Sequence, residues 1–257
     1  MHILLTNDNG YTAAGLTPLA RALRLFGKVT VLVPENDWSM ADSTLSQEAM
    51  RVRLSSLPDD GGSVIVCRAT PSDCVSYALM GFLSQDVDLV VSGVNVMPTA
   101  HHHLAYSAGV TAVTEALMLG IPGAAVSLPV GLGEVAWQTA VDLTCHIVQR
   151  FISEGFPKRR FYNLQVPSGR VRGIRNAQQD LRVYYERLAS RQEMEHDEVV
   201  PPFINATSMT CDEPTAVLAQ GYALITMLTL NPVAAQALAS PVALGHQGQM
   251  AYLEVAG

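Results

Sequence analysis

The sequence lacks the long apolar segment that a membrane span requires. Hydrophobic residues make up 49% of the 257 residues, yet no run of about 18 uninterrupted apolar residues occurs. Met1-His2-Ile3 leads directly into a strand-like run, without the charged region, apolar region and cleavage site of a signal peptide. We therefore expect a cytoplasmic protein that has no membrane partner.

Clustered cysteines and an excess of basic residues are also missing. Cys67, Cys74, Cys145 and Cys211 are scattered, with no CxxC pair and no His at metal-ligand spacing, which favours buried reduced thiols. The 16 Lys and Arg residues against 23 Asp and Glu residues give a net charge of −7, which argues against a nucleic-acid polymer as partner. A small anionic substrate remains compatible if a local metal ion offsets the repulsion.

Three common nucleotide-binding and hydrolase motifs are absent. No GxGxxG follows the first apolar run, no GxxxxGK[ST] occurs, and no GxSxG is present. These absences exclude the usual dinucleotide-binding, P-loop and serine-hydrolase classes.

What is present is an alternation of strand-like and helix-like segments. Short apolar runs occupy residues 3–5, 29–33, 64–66, 89–91 and 124–126, with another near 162–166. Thr17-Pro18 and Thr70-Pro71 have the cap-then-proline order of helix starts, and helices are predicted over 107–119 and 135–151. The pattern predicts one doubly wound α/β domain with a mostly parallel sheet.

The second half of the chain departs from this alternation. Residues 1–168 form the predicted α/β core, whereas 170–207 are interpreted as a protruding hairpin or arm because the segment is charged and contains Tyr without helical periodicity. Residues 208–257 regain apolar character and are expected to return to the core and to an oligomer interface.

Three polar loops follow strands of the predicted core. Asp8 follows the first strand, Ser39 lies in the loop 36–43 after the second, and Asn95 ends the segment 92–95 after the fourth. Ligands in open parallel sheets gather beyond the carboxyl ends of the strands. Carboxylate, hydroxyl and amide oxygens suit Mg²⁺, Mn²⁺ or Ca²⁺, although the same residues are common turn formers.

These loops resemble the SurE family of survival-protein nucleotidases. The start Ile3-Leu4-Leu5-Thr6-Asn7-Asp8-Asn9-Gly10 is similar to the family's I-L-L-T-N-D-D-G. Further similarities are Val33-Pro34 followed by Ser39, Thr70-Pro71-Ser72-Asp73-Cys74, Asp88-Leu89-Val90-Val91-Ser92-Gly93-Val94-Asn95 and Tyr106-Ser107. Weaker similarities at 162–167 and 220–222 extend the resemblance over nearly the whole chain.

The resemblance implies a divalent-metal-dependent phosphatase acting on nucleoside 5′- and 3′-monophosphates. By position, the implied metal ligands are Asp8, Asn9, Ser39 and Asn95, with Asp8 and Asn9 as the catalytic pair. It also implies a homodimer or homotetramer that exchanges the arm.

Two departures from the family pattern concern the site itself. Asn9 stands where the family has a second acid, and the loss of that charge predicts metal binding weaker by roughly tenfold or more. The family's glycine-rich N-x-G-x-N-x-G-D-D loop is replaced by Asn95-Val96-Met97-Pro98-Thr99-Ala100-His101-His102-His103. His101, His102 and His103 could supply a replacement ligand or general acid, or form an ordinary solvated loop.

Three hydroxyl side chains are candidates for phosphate contacts: Ser107, Thr99 and Ser43. Ser107 opens a predicted helix, so it either helps to bind an anion at the helix N-terminus or is an ordinary N-cap. Asp73, in the first turn of another helix, is interpreted as structural.

Three functional hypotheses follow. The first is a working phosphomonoesterase, and the second is a binding or scaffold protein that kept the fold after losing its chemistry. The third is a phosphatase specialised for another phosphorylated substrate, with its site reshaped by the histidine loop.

Overall fold

The computed structural model describes residues 1–39, 45, 49–58, 62–96, 107–129, 134–156, 160–177, 213–229, 244–246 and 249–251. Among these residues, no helix is both long and apolar enough to cross a membrane.

A nine-stranded mixed sheet forms the centre of the described structure. Its strands, numbered along the chain, are β1 His2–Thr6, β2 Lys28–Pro34, β3 Val52–Ser56, β4 Ser63–Cys67, β5 Leu89–Val96, β6 Gly123–Leu128, β7 Arg160–Gln165, β8 Ile174–Ala177 and β9 Ala223–Thr229. Their order across the sheet is β3-β4-β2-β1-β5-β6-β7-β9-β8. Strands β4, β2, β1, β5, β6 and β7 are mutually parallel, while β3, β9 and β8 run in the opposite direction.

Helices cover both faces of the sheet. The helices are α1 Leu16–Leu23, α2 Pro71–Tyr77 with a π-helical continuation Ala78–Phe82, α3 Ala108–Met118, α4 Glu134–Glu154 and α5 Glu213–Ala219. Buried side chains of α1 and α4 pack with alternate strand residues such as Ile3 and Leu5, whereas α2 and α3 pack on the opposite face, where Leu4 points. The fold is therefore the predicted doubly wound α/β class.

A crevice is expected where neighbouring strands send their connections to opposite faces. Strand β1 lies between β2 and β5, and the chain leaves β1 through α1 on one face but leaves β5 through α3 on the other. The carboxyl ends of β1 and β5 therefore flank a topological switch point, the usual ligand position in such sheets.

Most predicted elements are confirmed, including the helix start at Thr70. The Thr70 side chain accepts a hydrogen bond from the Asp73 backbone N–H, and the Asp73 carboxylate accepts one from the Thr70 backbone N–H. This capping box gives Asp73 the structural role assigned to it. Cys67 and Cys74 are buried free thiols, as expected, whereas the free thiol of Cys145 is only half-buried.

Three predictions require correction. Residues 92–95, predicted as a loop after a strand, belong to β5, which continues to Val96. Helix α1 begins at Leu16 with Gly15 as N-cap, so Thr17 lies inside the helix and does not cap it. The start of the arm, predicted at residue 170, is too early, because Ile174–Ala177 pairs with β9 as the edge strand of the main sheet. Residues 178–207 of the arm lie outside the described residues. A short antiparallel pair, β10 Leu244–His246 and β11 Gln249–Ala251, lies near the C-terminus.

Candidate metal and phosphate site

A tight turn after β1 holds the first site residues. Asn7 is fully buried, and its amide nitrogen donates to the Gly10 carbonyl oxygen at 2.9 Å while its Oδ1 accepts from the Gly10 N–H at 3.2 Å. Gly10 has φ 83°, in the left-handed region that favours glycine. A Cβ there would lie 3.1 Å from the Asn36 carbonyl oxygen, because the turn packs against the loop after β2. The turn thereby fixes the backbone at Asp8 and Asn9.

Asp8 connects this turn to β5 and α3. Its backbone N–H donates to Asn95 Oδ1 at 3.1 Å, and its carboxylate Oδ2 accepts from the Gly109 N–H at 3.2 Å. The side chain is only 3% exposed. Among the described residues, the other carboxylate oxygen, Oδ1, is buried without a hydrogen-bond partner.

Burial raises the pKa of Asp8 to about 7 from its ordinary value of 3.8. Loss of hydration is the largest cause, and it outweighs the Gly109 hydrogen bond, which lowers the pKa; the nearby negative charge of Asp37 raises it further. A carboxylate in this environment is costly to ionise and gains much from a nearby cation.

The orientation of Asn9 is set by two partners. Its Oδ1 accepts from the Val96 N–H at 2.7 Å, and its Nδ2 faces Asp37 Oδ1 at 3.5 Å. The reversed orientation would point the amide nitrogen at an N–H and the amide oxygen at a carboxylate, so the hydrogen bonds fix the assignment. The Asn9 oxygen therefore accepts one backbone hydrogen bond, as the Asn95 side-chain oxygen does.

The loop after β2 approaches the same point. The Trp38 N–H donates to the Asp8 carbonyl oxygen at 2.6 Å, and the Ser39 N–H donates to Asp37 Oδ1 at 2.8 Å. Ser39 is half-buried. The backbone contact of its neighbour with Asp8 brings Ser39 into the region of Asp8 and Asn9.

The N-terminus of α3 completes the described part of the site. Ser107 is the N-cap, because its hydroxyl oxygen accepts from the Val110 N–H at 3.3 Å; this bond uses the hydroxyl only as an acceptor. Gly109 allows a close approach, because a Cβ there would contact the Asn95 amide and lie 3.1 Å from Asp8 Oδ2. Asn95 is anchored by donating to the Ser92 carbonyl oxygen at 3.3 Å. Asp8 thus occupies part of the positive end of α3.

The structure brings together five of the predicted site residues, namely Asp8, Asn9, Ser39, Asn95 and Ser107. Ser43, Thr99, His101, His102 and His103 lie outside the described residues. Sequence reasoning missed Asn7, Asp37 and Gly109. Asn7 and Gly10 stand at the spacing of a turn closed by an Asn side chain, which is a readable signal, whereas the contacts of Asp37 and Gly109 depend on tertiary structure.

The donor set fits a hard divalent cation. Asp8 offers an unpartnered buried carboxylate oxygen, Asn95 an amide oxygen and Ser39 a hydroxyl group. Within the described part of the chain, no group of three or more His, Cys, Asp or Glu side chains could hold a metal. Asp8, Asn95 and Ser39 together would offer an ion one carboxylate, one amide oxygen and one hydroxyl group.

The fold and the site define a doubly wound α/β protein in which the buried Asp8 carboxylate lies at the switch point of the sheet and has one oxygen without a partner among the described residues. A comparison with known families matches residues 3–186 to the family described as survival protein SurE. The chain belongs to the SurE family.

Similar named proteins and a solved structure agree with this assignment. The chain is 32% identical over 242 residues to the 5'-nucleotidase SurE of Chloroflexus aggregans, covering 90% of this chain and 94% of that protein. It is 36% identical over 178 residues to the 5'/3'-nucleotidase SurE of Citrobacter koseri, covering 68% of each chain. The crystal structure of the SurE protein from Aquifex aeolicus superposes with a TM-score of 0.71 at 26% identity, covering 91% of this chain and 95% of that one.

Proposed function

We propose that this protein is a divalent-metal-dependent phosphomonoesterase of the nucleotidase type, acting on nucleoside monophosphates or a related phosphorylated substrate. The observation that carries the proposal is the state of Asp8, a carboxylate that is 3% exposed with one buried oxygen lacking a partner among the described residues. A structural aspartate so deeply buried normally has its oxygens satisfied. Two relatives named as nucleotidases support the substrate class.

Asp8 and Asn95 are the central groups of the proposed site. Asp8 supplies the negative charge, and Asn95 holds its side-chain oxygen beside the Asp8 backbone through the hydrogen bond of 3.1 Å. A bound divalent cation, Mg²⁺ or Mn²⁺ in the first instance, would stabilise the charge that develops on the phosphoryl oxygens. Ser39 would complete the oxygen ligands.

Phosphate contacts are assigned to the N-terminus of α3 and to the neighbouring loops. The Ser107 hydroxyl accepts from the Val110 N–H, which leaves its own hydrogen available to donate to a phosphate oxygen. The first turn of α3 adds the positive end of the helix dipole. Thr99 and Ser43 are proposed as further contacts, with His101, His102 and His103 shaping substrate choice.

A second candidate function is a binding or scaffold protein without turnover. The observation in its favour is Asn9, whose side chain carries no charge and whose oxygen is already bonded to the Val96 N–H. If residue 9 must be an ionised ligand, the natural protein would be inactive and Asn9→Asp would restore phosphate release.

One assay distinguishes these functions. Phosphate release would be measured from nucleoside 5′- and 3′-monophosphates, with and without Mg²⁺ or Mn²⁺, for the natural protein, Asn9→Asp and Asp8→Asn. We expect metal-dependent release by the natural protein and none by Asp8→Asn. Release only after Asn9→Asp would support the scaffold function, and undiminished activity of Asp8→Asn would refute the proposed site.

A further inference from the structure

The loop after β2 places a carboxylate beside the residue that lacks one. Asp37 Oδ1 lies 3.5 Å from Asn9 Nδ2 and accepts from the Ser39 N–H at 2.8 Å. Asp37 therefore contacts two of the residues assigned to the metal site. Neither contact supplies a positive charge that would neutralise the carboxylate.

Asp37 also belongs to the loop that contacts Asp8. The next residue, Trp38, donates its backbone N–H to the Asp8 carbonyl oxygen at 2.6 Å, which brings Asp37 close to the turn that carries Asp8. Asp8 independently indicates a ligand position, because its Oδ1 is buried and unpartnered among the described residues. A cation bound by Asp8 and Asp37 would compensate both negative charges and satisfy the buried oxygen.

The other described acid of this loop is differently engaged. Glu35 forms an ion pair with Arg53 at 3.2 Å, and both side chains are well exposed. Arg53 belongs to the edge strand β3, so Glu35 is directed toward that strand. Of the two described acids in this loop, only Asp37 contacts the site residues.

We propose that Asp37 supplies the second negative charge of the metal site, replacing the charge that Asn9 lacks. The inference rests on the proposed function, since it requires a divalent cation at Asp8. Asp37 acts either through direct contact with the ion or through a water molecule, and Asn9 holds its carboxylate in place by facing it with an N–H donor. The two residues together then carry one negative charge.

This division of roles explains why residue 9 is an amide. An aspartate at position 9 would keep one oxygen on the Val96 N–H and present the other to the Asp37 carboxylate, where Asn9 Nδ2 now stands at 3.5 Å. Two adjacent carboxylates repel each other in the absence of an ion. Asparagine at position 9 and aspartate at position 37 are therefore electrostatically matched.

The test is direct titration of Mn²⁺, with free ion followed by electron paramagnetic resonance and heat followed by calorimetry. The proteins are the natural chain, Asp37→Asn, Asn9→Asp and the exchange variant Asn9→Asp/Asp37→Asn. Glu35→Gln is the matched control, because it removes the same charge two residues away. Asparagine at position 37 can still accept from the Ser39 N–H, and circular dichroism verifies folding of each variant.

We expect Asp37→Asn to weaken Mn²⁺ binding by about tenfold or more, as losses around metal ligands usually do. Glu35→Gln should stay within about twofold, since Glu35 is paired with Arg53 and has no contact with the residues of the proposed metal site. The exchange variant should recover most of the lost affinity because the charge returns at position 9. Equal affinities of Asp37→Asn and Glu35→Gln would overturn the role of Asp37, whereas a natural protein that binds no Mn²⁺ would overturn the proposed metal dependence itself.

Discussion

Replacing Asp8 by asparagine should change how stability depends on pH. The folded metal-free protein holds the Asp8 proton with a pKa of about 7, above the ordinary value of 3.8 expected for the unfolded chain. The folded state therefore binds this proton more tightly. The stability that this proton contributes is complete at pH values below the unfolded-state pKa of Asp8. It is lost as the pH rises through the folded-state pKa of about 7.

The size of the effect on the free energy of unfolding follows from the shift in the Asp8 pKa. A shift of about 3 units at about 1.4 kcal/mol per unit corresponds to a total of about 4 kcal/mol. Between pH 5 and pH 8, the part that is lost is about 3 kcal/mol. Asp8→Asn removes the titration but keeps an oxygen for the Gly109 N–H, so the variant should gain stability relative to the natural protein as the pH rises.

The assay is urea denaturation in the presence of a chelator at several pH values between 5 and 8. The quantity that matters is the difference in unfolding free energy between the two proteins, because other titrating groups cancel in it. Saturating Mn²⁺ should then stabilise the natural protein far more than Asp8→Asn. Parallel pH profiles of the two metal-free proteins would refute the raised pKa and with it the account of Asp8 as a costly buried charge.

Three further predictions concern the surroundings of the site and the assembly. Gly109→Ala would force a Cβ against the Asn95 amide and should cost about 1–3 kcal/mol of stability together with most Mn²⁺ affinity; unchanged thermal unfolding and titration would contradict the close approach. Thr70→Ala should lower the unfolding free energy by about 1 kcal/mol through loss of the α2 cap, while Thr70→Ser should retain it, and equal loss in both would count against the capping role. Deleting residues 178–207 should convert the proposed dimer or tetramer into monomers in light scattering, and an unchanged oligomer mass would refute the arm exchange.

The central strands could be predicted because their burial leaves a plain sequence signal. Ile3, Leu4 and Leu5 are all fully buried, and such uninterrupted apolar runs indicate strands covered on both faces. Strand β3 left no comparable signal, since Leu54 is 79% exposed and the strand forms by pairing with β4 at the sheet edge. The local periodicity of a sequence does not indicate pairing between segments that are distant along the chain.

The start of α1 shows how tertiary packing overrides a local signal. Thr17-Pro18 has the order of an N-cap and first helical residue, yet the helix begins two residues earlier, at Leu16, with Gly15 as its N-cap. The Trp137 ring lies so close to Gly15 that a Cβ there would approach one ring carbon to 2.6 Å. Contact with α4 therefore requires a glycine at the N-cap position, which the local sequence does not show.

Only part of the site could be predicted, because some of its contacts depend on tertiary packing. Asp8 and Asn95 could be paired in advance because parallel strands end at one edge of a sheet. Asp37 and Gly109 could not, because their contacts depend on how a loop and a helix start pack against Asp8. Each appears in the sequence as an ordinary turn or helix residue.

The long reach of the Asp8 contacts also determines when the site can exist during synthesis of the chain. Asp8 is bonded to residues 87 and 101 positions further along, and the second of these lies in α3. A growing chain that has not yet reached Gly109 contains Asp8, Asn9, Ser39 and Asn95 but cannot bring them to their final arrangement. Ion binding is therefore expected only after the central strands have paired and α3 has packed against them. The bound ion would then stabilise the folded domain.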